Sequence, residues 1–115
     1  MTLEGILPEI YTFLDFTNHE CRMAKKKGLT GYSTHIGGEI PAEHPMPYNV
    51  YLPVSEYLKK HPEEIDSLID FLNEELTKPL FNYKKVTFNK ASFTFKKSFL
   101  SKKQVLPYVT VDIKF

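Results

Sequence analysis

The chain has 115 residues, 42% hydrophobic and 25% charged, which is the composition of a globular protein and excludes a disordered one. This length predicts a single domain over residues 1–115, with a core that needs no disulfide or structural metal. The net charge of +1 hides an asymmetry, because residues 51–77 carry seven acids against two lysines and residues 78–115 carry nine lysines against one aspartate.

The single cysteine, Cys21, excludes an intramolecular disulfide, and the first residues lack the pattern of a secretory signal peptide. No stretch approaches the roughly 18 consecutive apolar residues of a membrane span. We therefore expect a cytoplasmic protein, or one that is delivered without a classical signal, and no membrane as its partner.

The first predicted element is a helix over residues 8–27. Pro8 suits its first turn, Lys25–Lys27 suit its last turn, and Gly28 suits the position after its end. An apolar face recurs every three or four residues, as an α-helix requires. It consists of Ile10, Phe13, Leu14, Thr17, Cys21 and Ala24.

The next segment, residues 28–47, is rich in glycine and proline. Gly37-Gly38 would close a short hairpin between residues 32–36 and 39–40. The alternative is an irregular loop, whose length would itself indicate a function.

Two helices and a short strand are predicted in the middle of the chain. Tyr48–Leu52 is typical of a strand, and Ser55 suits the cap of a short helix reaching about His61. Pro62 then opens a second main helix that stops before Pro79. Its apolar stripe consists of Ile65, Leu68, Ile69, Leu72 and Leu76.

The last third of the chain changes to the period of two residues that is typical of β-strands. Val86 and Phe88 mark one strand, and Asn89-Lys90 suits a two-residue turn. The apolar positions of the following strands are Phe93, Phe95, Phe99, Val105, Val109, Val111, Ile113 and Phe115. We predict a three-stranded meander over residues 83–115, with these side chains in the core and Ser, Thr and Lys in solvent.

These elements predict an α+β fold in which two main helices pack on one face of a small, mostly antiparallel sheet. The C-terminal three-stranded meander would form most of that sheet. A basic sheet face would then lie opposite an acidic helix face.

Seven lysines of the predicted meander are the candidate binding residues. They are Lys84, Lys85, Lys90, Lys96, Lys97, Lys102 and Lys103. On one face, they would attract an acidic protein by steering or nucleic-acid phosphates by counterion release, with Tyr83 and Tyr108 as stacking platforms. The alternative is that they only keep exposed strands soluble. The single arginine, Arg22, weakens the case for nucleic acid.

Residues 28–47 supply the remaining candidates. The N–H groups of Gly37 and Gly38 would suit an anion, although the segment matches no phosphate-binding motif. His35 and His44 are the candidates for acid–base catalysis, such as metal-free phosphodiester cleavage. The alternative is a turn with two exposed histidines.

No metal site and no cofactor are predicted. His19 and Cys21 are two residues apart on a helix and point to different sides, and one cysteine excludes the paired-thiolate zinc motifs. The acids of the second main helix would suit a basic partner, or simply form the solvated face of an amphipathic helix. They are Glu63, Glu64, Asp66, Asp70, Glu74 and Glu75.

A small domain without a catalytic signature suggests a protein that acts by binding. The first hypothesis is a stoichiometric regulator or inhibitor, of the kind found among phage and immunity proteins. It would contact a protein partner through the lysine-rich sheet face or the acidic helix face. The alternatives are a small metal-independent nuclease or phosphodiesterase that uses the loop histidines, and a non-catalytic binder of nucleic acid or nucleotides.

Overall fold

The computed structural model describes residues 3–43, 46–79 and 81–115 of the protein. Within these ranges lie the helices α1 (Leu7–Lys26), α2 (Leu52–Lys60) and α3 (Ile65–Leu76). The strands are β1 (Gly31–Ile36), β2 (Lys85–Phe95) and β3 (Gln104–Lys114). They form an antiparallel sheet in the order β1-β3-β2. The predicted α+β class is confirmed.

Helix α1 follows the sequence prediction closely. Every residue of its predicted apolar face is buried, from Ile10 to Ala24. Gly28 adopts a left-handed φ of 82° after the last turn, and the N–H of Leu29 returns to the carbonyl of Ala24 over 3.0 Å. This is a glycine-terminated helix end, which satisfies carbonyls that would otherwise have no partner.

The other two predicted helices are confirmed as α2 and α3. The prediction that Ser55 caps the short helix is wrong, because α2 begins at Leu52 and Ser55 lies inside it. Leu68, Leu72 and Leu76 of α3 are fully buried, as their spacing predicts. The predicted strand over Tyr48–Leu52 is wrong, because Tyr48–Val50 forms a 3₁₀ turn that leads directly into α2. None of the helices in the described ranges is both long and apolar enough to cross a bilayer.

Strand β1 exists, but it does not form the predicted local hairpin. Its partner is β3, from Gly31 opposite Lys114 to Ile36 opposite Val109. Gly37 and Gly38 have φ values of 83° and 82°, and they turn the chain away from the sheet instead of closing a hairpin. Long-range pairing with an apolar strand thus replaces the local turn.

Strand β2 is continuous, so the turn predicted at Asn89-Lys90 is absent. Both residues pair with β3, Asn89 with Thr110 and Lys90 with Val109. The C-terminal region therefore supplies two long strands, and the third strand of the sheet is β1. The apolar positions change from even numbers (Val86 and Phe88) to odd numbers (Phe93 and Phe95), and this change wrongly indicated a turn. In the structure, the strand is continuous and its apolar side chains change from one face to the other.

This change of face occurs in both strands at the same place. In the half of the two strands formed by residues 85–90 of β2 and 109–114 of β3, the apolar side chains face the helices. Beyond them, Phe93 and Phe95 lie on the opposite face, and Phe93 pairs with Leu106. The prediction that Phe93 and Phe95 face the core beside Val109 is therefore wrong. Both are only partly buried.

The segment after β1 crosses to this second face. Ile40 and Tyr48 from the segment, and Leu52 from α2, line a groove together with Phe93 and Phe95. Leu106 is completely buried on the same face. We call the paired strands β2 and β3 the β2–β3 ribbon. The groove explains why Phe93, Phe95 and Leu106, in the half of the ribbon beyond β1, face away from the main core.

The hydroxyl of Ser55 connects α2, the glycine turn and β3. It accepts a hydrogen bond from the Gly38 N–H over 2.8 Å and donates one to the Pro107 carbonyl over 2.7 Å. Ser55 is completely buried. It thereby satisfies backbone groups just beyond the point where β1 stops pairing with β3.

We predict that Ser55→Ala lowers the free energy of unfolding by about 1–3 kcal/mol, because it leaves buried backbone groups without partners. Urea denaturation followed by circular dichroism would measure the change. Ser92→Ala is the matched control. Ser92 is exposed on β2, so its substitution should stay within about 0.5 kcal/mol of the original protein. Equal effects of the two substitutions would contradict this role.

Candidate functional site

The predicted binding lysines do not converge on one face of the sheet. Lys84 and Lys85 lie at the start of β2, beside the C-terminal end of β3. Lys90 lies on the helix side, where its Nζ is 2.6 Å from a carboxylate oxygen of Asp66 in α3. The other four lysines surround the turn between β2 and β3. They are Lys96, Lys97, Lys102 and Lys103.

The far part of the β2–β3 ribbon projects beyond β1. Only residues 109–114 of β3 pair with β1, whereas pairing with β2 extends over residues 104–114. We call residues 91–108, which include the connecting turn, the arm. Five residues of β3 extend about 17 Å past the end of β1. The arm is therefore a two-stranded extension with a free tip.

A four-residue turn, residues 98–101, closes the tip of the arm. The N–H of Ser101 donates to the carbonyl of Ser98 over 3.1 Å, and the two serine hydroxyls lie 2.9 Å apart. Phe99 and Leu100 occupy the central positions, with 90% and 92% of their surface exposed. The prediction that Phe99 is a core residue is wrong, because the strand ends at Phe95 and a turn follows.

Apolar side chains continue along both faces of the arm. On the helix side, Val105 is 61% exposed. On the other side, Phe93 and Phe95 line the groove, which has a volume of about 390 Å³ and Lys97 at its border. Phe93 packs edge-on against Tyr108, with 5.9 Å between ring centroids. The arm thus presents one apolar tip and two partly apolar sides.

Most of the predicted acidic helix face is already engaged within the protein. Asp66 pairs with Lys90, and Glu75 lies 2.8 Å from Lys78. Glu64 is not on the solvated face at all, because it is buried under the N-terminal segment. Glu63 is 69% exposed and lies 3.6 Å from His61. Asp70 and Glu74 are exposed and have no ion pair within the described ranges.

Glu64 belongs to a local cluster that the sequence analysis missed. Its carboxylate accepts hydrogen bonds from the Leu3 N–H and from the Tyr57 hydroxyl, the latter at 3.0 and 3.1 Å. His61 Nδ1 lies 3.5 Å from Glu64 and 3.6 Å from Glu63. These three side chains are close enough to share a cation, but the hydrogen bonds of Glu64 give it a structural role instead. The close spacing of His61, Glu63 and Glu64 was the available sequence signal.

Of the two histidine candidates, only His35 lies within the described residues. His35 lies between the rings of Tyr51 and Tyr108, and its Nε2 is 2.8 Å from the carbonyl of Glu39. The neighbouring Ser33 hydroxyl donates to Asp112 over 2.6 Å instead of to a histidine. His44 lies outside the described residues. The described residues around His35 therefore form no nucleophile–base pair of the kind that hydrolases use.

The glycine turn does not offer its N–H groups to an anion. The N–H of Gly37 donates to the Val50 carbonyl over 2.8 Å, and that of Gly38 donates to Ser55. The hypothesis of an anion-binding site at Gly37 and Gly38 is therefore wrong.

Cys21 packs in the core, as its position on the α1 stripe predicts. It is completely buried, and loss of hydration raises the pKa of its thiol, although Tyr83 and Lys25 oppose this effect. Burial also raises the pKa of Tyr83, whose hydroxyl donates to Asn18 over 2.8 Å. These contacts attach the start of β2 to α1.

No protein-family model matches this chain, and no curated protein or solved structure is detectably similar to it.

We predict that Cys21 reacts slowly with a thiol reagent such as dithionitrobenzoate in the native protein. Burial excludes the reagent, and the raised pKa leaves little thiolate at neutral pH. The same protein unfolded in guanidinium is the control and should react at once. Complete labelling of the native protein within seconds would contradict the buried position.

We also predict that Glu64→Ala lowers the free energy of unfolding by about 1–3 kcal/mol, because buried donors lose their acceptor. Glu63→Ala is the matched control, since Glu63 is exposed, and should change stability by less than about 0.5 kcal/mol. Thermal melts with and without divalent cations measure both effects. A cation-dependent melting shift that either substitution abolishes would instead favour a metal site.

Proposed function

We propose that this protein acts by binding, and that its arm inserts into an apolar cleft with an acidic rim on a protein partner. The observation that carries the proposal is the exposure of Phe99 and Leu100 at the tip. A protein partner is also the first hypothesis from the sequence, which assigned the contact to the lysine-rich sheet face or the acidic helix face instead of the end of the β2–β3 ribbon.

The chemistry of the turn supports a role outside the folded chain. Central positions of tight turns favour Gly, Pro, Asn and Asp, which fit the backbone and the solvent. Phe99 and Leu100 gain little from folding because nearly all of their surface stays in water. Residues that break a local rule without an intramolecular gain are expected at functional sites. A partner that buries both side chains would supply the missing gain.

The charge around the tip supports an acidic partner. From residue 77 to residue 111 the chain contains no acid, and it contains the lysines 78, 84, 85, 90, 96, 97, 102 and 103. Lys96 also lies over the ring of Phe99, with its Nζ 5.2 Å from the ring centroid. Steering by these charges would accelerate association, and their effect would weaken with added salt.

The shape of the arm favours a protein cleft over a flat lipid surface. A bilayer would contact the tip alone. Val105 on one side of the arm and the groove at Phe93 and Phe95 on the other would remain in water. A cleft that encloses the arm would cover all three apolar regions at once. This favours a partner that holds the arm from both sides.

We place the protein in the cytoplasm as part of the same proposal. A reducing, cytoplasmic environment suits a protein whose single cysteine is a buried core residue. Regulation or inhibition of the partner, as in phage and immunity proteins, would follow if the cleft that receives the arm is the partner's own functional site.

A photo-crosslinking experiment tests the proposal. A benzoylphenylalanine at position 99 should crosslink one specific protein in the native cells. The same group at position 11, where the original tyrosine is exposed on α1, should not. With the identified partner purified, Phe99→Ser/Leu100→Ser should weaken binding by about a hundredfold, as expected for a pair of central apolar contacts. Its melting temperature should be unchanged.

A matched pair of charge variants tests the electrostatic part. Lys102→Glu/Lys103→Glu should slow association and flatten its dependence on salt. Lys59→Glu/Lys60→Glu makes the same change of charge on exposed residues of α2 and should have little effect. Full affinity of the Phe99→Ser/Leu100→Ser variant would refute the proposal. Tip-dependent binding to phosphatidylserine vesicles without a protein crosslink would refute it in favour of a membrane.

A further inference from the structure

A second basic surface lies at the opposite end of the β2–β3 ribbon from the arm tip. It forms where the end of α1, the start of β2 and the end of β3 meet. Its cationic residues are Arg22, Lys25, Lys26, Lys84, Lys85 and Lys114. We call this set the basic end. Within the described part of the chain, none of these six side chains forms an ion pair.

Two of these lysines are placed at a cost to the fold. Lys85 and Lys114 are direct cross-strand partners, so their side chains project on the same face. Like charges at directly opposed positions destabilise a sheet. Lys25 and Lys26 have an ordinary explanation, since they complement the negative end of the α1 dipole. Lys85 and Lys114 lie at no helix end, and among the described residues Asp112 is the one acid that shares their face of the sheet. An anionic ligand would compensate for the positive charge that Asp112 leaves unbalanced.

Aromatic rings lie beside these charges. Phe81 and Tyr83 stack with nearly parallel planes, 14° apart, and 6.1 Å between centroids. Lys25 Nζ lies 5.5 Å from the centroid of Tyr83 and 5.2 Å from that of Phe115. Tyr83 is fixed by its hydrogen bond to Asn18. These contacts hold aromatic and cationic groups next to one another.

Two recesses at this end of the ribbon are each lined by aromatic and cationic side chains. Arg22, Lys25, Phe81, Asn82 and Tyr83 line a recess of about 510 Å³. A broader recess of about 900 Å³ is bordered by several residues that include Lys84, Lys85, Lys114 and Phe115. The chain's single arginine thus lies in the recess that also contains the stacked ring of Phe81. Asp112, whose carboxylate accepts a hydrogen bond from Ser33, also lines the broader recess and lies on the same face of the sheet as Lys85 and Lys114.

From this arrangement we infer that the basic end binds single-stranded nucleic acid. The lysines and Arg22 contact the phosphates, and a base stacks on the ring of Phe81. Such a combination of a cationic path and an aromatic platform is how proteins hold single strands without reading their sequence. This site is separate from the arm and does not depend on the function proposed for it.

Fluorescence anisotropy with a labelled oligothymidylate of about 15 nucleotides tests the inference. Lys85→Glu is the most informative variant, because it turns the repulsive pair with Lys114 into an attractive one. Its melting temperature should stay the same or rise, while its affinity for the oligonucleotide should fall about tenfold at low salt. A binding loss therefore cannot be attributed to unfolding. Lys102→Glu, the same charge change on the arm, should bind normally.

Phe81→Ala separates stacking from charge. It should weaken binding on the order of tenfold and leave the salt dependence unchanged, as expected for the loss of one base–aromatic stack. Phe99→Ala removes an exposed ring elsewhere and should have no effect. Equal losses with Lys85→Glu and Lys102→Glu would overturn the inference, since binding would then follow net charge alone. Polyglutamate binding as tightly as the oligonucleotide, with no effect of Phe81→Ala, would also overturn it.

The two proposals fail separately. If position 99 crosslinks no protein but the original protein binds the oligonucleotide as expected, only the protein-partner proposal is refuted. If position 99 crosslinks a specific protein but the original protein does not bind the oligonucleotide, only the inference about the basic end is refuted.

Discussion

The pairing of β3 on both of its edges is the constraint on which the rest of the structure depends. From Val109 to Lys114 this strand lies between β1 and β2, and its inward side chains Val109, Val111 and Ile113 are buried under the helices. From Gln104 to Tyr108 it has only β2 as a strand partner. The length of β1 therefore divides the ribbon into a half that builds the core and a half that forms the arm.

The glycine turn determines where this division falls. Gly37 and Gly38 use left-handed φ values that other residues rarely adopt, and a Cβ on Gly37 would lie 2.9 Å from the Cβ of Tyr108. The chain must leave the sheet at this point and pass over to the second face of the ribbon. Ser55 then satisfies the backbone groups that a longer β1 would have paired. The arm is thus a consequence of how the fold ends one strand.

The helices could be predicted from sequence because their evidence is local. Pro8 in the first turn of α1, a stripe at helical spacing and Gly28 just after the last turn are close together in sequence, and they agree. The strands could be recognised as strands, but their faces could not be assigned. In β2 the apolar positions change from Val86 and Phe88 to Phe93 and Phe95. A turn between two strands would explain this change, and so would one continuous strand whose second half is covered by other residues on its opposite face. Only the positions of residues 37–43 and 46–52 decide between these two explanations.

The candidate site was predicted only in its chemistry. The abundance of lysine after residue 78 is visible in the sequence, but the separation of these lysines into two ends requires the register of β2 and β3. Phe99 follows the alternation of Phe93 and Phe95, so it was assigned to the core. The symmetrical run of lysine pairs and serines around Phe99-Leu100 was the better signal, since such residues delimit a turn and oppose aggregation of an exposed apolar segment.

Asp66 pairs with Lys90 near the middle of the ribbon, and the lysines at the two ends have no such acidic partner among the described residues. The fold therefore balances positive charge where β2 passes the helices and leaves it unbalanced at both ends, about 35 Å of ribbon apart. Two ligands could be held at these ends without competing for the same surface.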